Sequence, residues 1–123
     1  MGKILLANAF SLSMLPFERS VLVVEQIDKQ KALEILQRGF TSVIGHQATA
    51  DFLSKLLGIN VPANRATITL DEETVLVVFQ LMQRLPEGTV LSKKEIDEIP
   101  YKFYLVRARQ KHNHLEIADA LSW

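Results

Sequence analysis

The sequence contains no cysteine. Disulfides and thiolate metal sites are therefore excluded, and a reducing compartment such as the cytoplasm is the expected location. Neither sign of charge is in excess, because 14 Lys and Arg balance 14 Asp and Glu. Proteins that grip a long polyanion draw most of their affinity from phosphate neutralisation, so this balance argues against long nucleic acid as a partner. A small anion held by two or three arginines is compatible with it. Long apolar runs are missing as well. The longest, Val21-Leu22-Val23-Val24 and Val75-Leu76-Val77-Val78-Phe79, have the length of strands and are far too short to cross a bilayer. The N-terminus offers one lysine and a short apolar run before Asn8, which is no signal peptide pattern, and no membrane partner is expected. Histidine is scarce: His46 stands alone in the body of the chain, with His112 and His114 in a polar tail. Proton chemistry near neutral pH would therefore fall to His46.

What is present is a chain of 123 residues, 48% hydrophobic and 23% charged, which suits one globular domain with a single core. Residues 3–7 read as a first strand. Residues 8–16 form a loop with two serines and an early proline. Residues 20–25 are apolar almost throughout and read as a strand buried on both faces. Asp28 can cap a helix running to about Arg38, stopped by Gly39. A second helix is expected from about His46 to Leu57, with Gly58 just past its end. Residues 65–70 alternate in polarity and read as a half-exposed strand. Asp71-Glu72-Glu73 is a polar turn, and residues 74–81 are a central strand. Ser92-Lys93-Lys94-Glu95 carries a capping box for a short helix that ends before Pro100. Residues 101–106 form the last strand. The fold class is α/β: a single compact domain with a mixed β-sheet of about five strands and flanking helices. Residues 1–106 make up that domain, and residues 107–123 are a C-terminal extension of unknown role.

The candidate sites follow from this layout. His46 opens a helix, where free N–H groups and a partial positive charge attract phosphate. Arg84 and Glu87 lie in a loop after an apolar strand. Arg84 can fork onto a phosphate, and Glu87 can orient His46 or take up a proton. Arg65 could be a second phosphate clamp. Asn8, Ser11 and Ser13 follow the first strand and could bond ligand hydroxyls or phosphates. Each also has an ordinary structural reading, as a turn residue, an exposed edge residue or a helix-start histidine. Neither the Asp71–Glu73 run nor His112-Asn113-His114 converges as metal ligands should. No phosphate-loop, dinucleotide, zinc or nucleophile-elbow motif occurs.

Four segments in order resemble the viral anti-CRISPR ring nucleases. They are Asn8-Ala9-Phe10-Ser11 after the first strand, Ile44-Gly45-His46 before a helix, Asn64-Arg65, and the run from Gln80 through Gln83, Arg84 and Glu87 to Gly88. The resemblance covers residues 3–106. It implies an enzyme that degrades cyclic tetra-adenylate, the second messenger of type III CRISPR systems, into linear di-adenylate with 2′,3′-cyclic phosphate ends. It also implies a homodimer with the ring at the subunit interface, no metal or other cofactor, and action in the host cytoplasm. By this resemblance His46 is the general acid, Arg84 and Arg65 hold phosphate, and Glu87 assists. Asn8, Ser11, Gly45, Gln80 and Gln83 line the pocket. Two other readings are a viral module that sequesters a cyclic nucleotide or grips a host protein without catalysis, and a small ribonuclease acting on linear RNA. The lack of basic excess counts against the last.

Overall fold

The computed structural model describes residues 2–85 and 92–112. Its centre is a five-stranded sheet in the order β2-β5-β4-β1-β3, where β1 is Ile4–Ala7, β2 Ser20–Ile27, β3 Thr41–Ser42, β4 Val75–Leu81 and β5 Tyr101–Gln110. β3, β1 and β4 are parallel, whereas β5 runs antiparallel to both β4 and β2. The sheet is therefore mixed, as expected, and its three parallel strands end at one common edge.

Three helices cover one face: α1 at Lys29–Leu36, α2 at Gln47–Leu57 and α3 at Lys93–Glu98. Local signals set their ends. The Asp28 side chain accepts a hydrogen bond from the Lys31 amide at 2.7 Å, which satisfies one free donor of the first turn of α1. Gly58 ends α2 at φ +69°, a left-handed backbone that costs glycine little. Ser92 and Glu95 form the reciprocal capping box that starts α3.

The helices bury Phe52, Leu53, Leu56 and Ile96 against Leu6, Val77, Phe79 and Phe103 from the sheet. A smaller core lies on the opposite face. There Leu5, Leu76, Val78, Val106 and Ala108 are covered by Phe10, Met14, Leu15 and Ile68 from the loops and by buried Leu70.

Four expectations need correction. The strand expected at residues 20–25 is longer and lies at the sheet edge. Val21, Val23 and Val24 are 43%, 55% and 59% exposed, because β2 has a neighbour on one side only and the helices stop short of it. Residues 65–70 form no strand. Their alternation serves packing against the second core, and the Leu70 amide donates to the carbonyl of Met14 at 2.7 Å instead of joining a ladder. β5 runs on to Gln110, because Val106 and Ala108 keep alternating inward between exposed Arg107 and Arg109. The two-residue β3 is too short to leave a hydrophobic pattern in the sequence.

The polar turn before β4 is tied together by Asp71. Its carboxylate accepts from the Glu73 amide at 3.0 Å and from the Thr74 hydroxyl at 2.7 Å. The Thr74 bond chiefly holds the carboxyl below its usual value of 3.8. A depressed carboxylate stabilises the fold above its unfolded pKa and loses that contribution as pH falls through the folded one. Asp71→Asn is therefore expected to lower the urea midpoint modestly at neutral pH. The gap to the wild type should close as the pH drops below 3.8.

Candidate active site

The edge at which β1, β4 and β3 end in parallel collects most of the candidate residues. In open α/β sheets this is the end where ligands bind, because the loops leaving the strands diverge there. Asn8 directly follows β1 and is half-buried. Gln83 and Arg84 directly follow the end of β4 and are exposed. The segment 43–46 leaves β3 and leads into α2.

His46 is the N-cap of α2. Its own side chain makes no capping bond and is exposed, and no acidic residue occupies the first turn. The helix thus presents its first amides without a side-chain partner and without a counter-charge, which is the local electrostatics an anion requires. At the other end of this helix the Ser54 hydroxyl donates to the Ala50 carbonyl, and it accepts from the Val61 amide at 2.9 Å. That bond ties the following loop to α2.

The same loop brings in Arg65. A Cβ placed on Gly45 would lie 3.7 Å from Arg65 Nε, so the arginine side chain runs beside the residue preceding His46. Its placement comes from a set of bonds around Ser42. The Ser42 hydroxyl donates to the Pro62 carbonyl at 2.6 Å. The Asn64 amide donates to the Ile44 carbonyl at 2.7 Å, and the Asn64 side-chain amide donates to the Ser42 carbonyl at 2.8 Å. Residues twenty positions apart are fixed within one turn of His46. Ser42 was legible only as an alternative helix cap, and Ser54 carried no signal at all. A hydroxyl that clamps a distant loop leaves no local pattern in the sequence.

Two other candidates are placed differently from a simple pocket lining. The register pairs Gln80 with Lys102, on the sheet face away from the helices, and its amide nitrogen donates to the Leu81 carbonyl at 3.1 Å. Ser11 uses its hydroxyl locally, capping a short 3-10 turn at Leu12–Met14 and bonding the Ser13 hydroxyl at 2.9 Å. The candidates therefore straddle the end of the sheet. Glu87 and Gly88 lie outside the described residues. Among the described residues no three His, Asp or Glu side chains come together as metal ligands. No helix there is long and apolar enough to cross a membrane.

Fold and site define a small α/β protein with an anion-suited end at its parallel strands. The comparison with known families makes this specific: residues 4–103 match the STIV B116-like family, and the chain belongs to it. The solved structure of B116 from Sulfolobus turreted icosahedral virus superposes with a TM-score of 0.78 at 30% identity, covering 86% of this chain and 99% of that one. Protein 26 of Sulfolobus islandicus filamentous virus is 32% identical over 100 residues, covering 80% of this chain and 85% of its own length. ORF117 of Acidianus two-tailed virus is 33% identical over 103 residues, covering 79% and 88%. Protein YddF of Bacillus subtilis is 39% identical over 67 residues, which cover 54% of this chain and 62% of YddF.

Proposed function

We propose that this protein is a metal-independent ring nuclease that cleaves cyclic tetra-adenylate and so switches off type III CRISPR signalling. The observation that supports the reading best is the meeting of Arg65 with the Gly45-His46 start of α2, at the strand edge from which Asn8 and Arg84 also emerge. A proton carrier, two guanidiniums and uncapped helix amides at one end of a sheet suit a phosphodiester. The family resemblance selects the cyclic substrate, and the viral relatives fit a role against host immunity.

The chemistry follows from the substrate. Each phosphate has a neighbouring 2′-hydroxyl, which attacks phosphorus as its proton passes to solvent. A 2′,3′-cyclic phosphate forms, the bond to the 5′-oxygen breaks, and His46 delivers a proton to that leaving oxygen. Arg65, Arg84 and the first amides of α2 offset the charge that builds on the phosphate. Held in line, the 2′-oxygen needs no external nucleophile.

A homodimer with the ring at its subunit interface fits this scheme. A ring of four identical nucleotides has a twofold axis, and a twofold dimer supplies two His46 side chains related by the same operation. Two cuts at opposite phosphates release two dinucleotides. Balanced net charge is no obstacle, because so small an anion calls for a local field only.

The test is incubation with cyclic tetra-adenylate in the presence of a chelator. Linear di-adenylate is the expected product. Tight binding with the ring left intact would replace catalysis by sequestration, and neither binding nor cleavage would overturn both.

A further inference from the structure

We propose that residues 113–123 seat back on this protein's own sheet, over an open patch formed by Val21, Val23, Arg107 and Arg109. The register places Val21 opposite Arg109 and Val23 opposite Arg107, so all four side chains share one face. It is the face that the helices cover further along, where Ile27 pairs with Phe103. Here the cover is missing: the two valines are 43% and 55% exposed, and both arginines are exposed. A depression of 490 Å³ opens there, lined by Val23, Glu72, Arg107, Ala108 and Arg109. Neither arginine makes an ion pair among the described residues. Glu72, the acid at its rim, accepts instead from the Gln110 amide at 3.3 Å.

The path of the chain names the occupant. β5 ends at Gln110, and the Lys111 amide donates to the Arg19 carbonyl at 2.9 Å. The chain therefore leaves the sheet beside the first residue of β2, next to Val21. The eleven residues 113–123 contain Leu115, Ile117, Leu121 and Trp123, which match the valines in character. Their acidic residues, Glu116 and Asp119, are opposite in sign to the arginines, and no Lys or Arg accompanies them. The exit point is about 27 Å along β5 from the end where Gln80 pairs with Lys102, so the patch lies much nearer than the candidate active site. Exposed charge pairs contribute little by themselves. Apolar burial supplies the attraction, and the covalent tether supplies a high effective concentration.

Trp123 is the only tryptophan in the chain, so its fluorescence in the full-length protein reports on this contact directly. Shielded, blue-shifted emission is expected, independent of protein concentration. Arg107→Glu with Arg109→Glu should shift it to the red and raise acrylamide quenching severalfold. Adding Glu116→Arg and Asp119→Arg to that variant should restore the shielding. Circular dichroism checks that each variant keeps its fold. The Glu116→Arg, Asp119→Arg variant alone alters nothing in the described sheet, and it should release Trp123 too. Fully exposed emission in the wild type, shielding unmoved by either charge reversal, or shielding that grows with protein concentration would overturn the proposal.

Discussion

His46→Ala is expected to slow cleavage of cyclic tetra-adenylate by about 10²–10⁴-fold, the range a positioned general acid supplies. Binding of the ring should change little, because Arg65, Arg84 and the helix amides remain. Stability should shift by no more than about 0.5 kcal/mol, since the imidazole is exposed and makes no capping bond. That separation distinguishes a proton donor from a structural histidine: one acts on turnover, the other on the unfolding midpoint. Single-turnover rates, ring affinity and urea denaturation of the same variant make the distinction. A wild-type rate in His46→Ala would remove it from the mechanism.

The largest effect on stability is expected at Phe79. Its side chain is 1% exposed, and its ring centroid lies 5.3 Å from that of Phe103 and 5.7 Å from those of Phe52 and Tyr101. This aromatic cluster joins α2, β4 and β5. Phe79→Ala should cost about 3–5 kcal/mol, from lost transfer energy and the cavity left between helix and sheet. Val24→Thr, on the exposed edge strand, should stay within about 0.5 kcal/mol. Equilibrium urea unfolding of both variants checks the contrast. The Phe79 change also lies two residues before the end of β4, so residual ring cleavage should fall with it.

Where the chain carries its own punctuation, the fold was readable from the residues. Asp28, Gly58 and the Ser92–Glu95 box start or end helices through bonds to backbone only a few positions away. The errors arose where neighbours decide. Val21 to Val24 look like a buried strand by composition, yet β2 has a partner on one side only, and burial depends on what covers a strand. Residues 65–70 have the period of a strand but no free edge beside them, so the alternation feeds a core contact instead. The candidate site shows the same division. His46 could be placed at a helix start from its glycine and the periodicity behind it. That Arg65 reaches Gly45 depends on Ser42, Asn64 and Ser54 clamping a distant loop, and no local pattern encodes that.

The central claim is that the substrate provides its own nucleophile while His46 provides the proton. The most direct measurement is the mass and end chemistry of the products, taken in chelator from cyclic tetra-adenylate and from the same ring with 2′-deoxyriboses. The natural ring should give di-adenylate ending in a 2′,3′-cyclic phosphate, and the deoxy ring should stay whole. Cleavage of the deoxy ring, products with 5′-phosphate ends, or an untouched natural ring would contradict it.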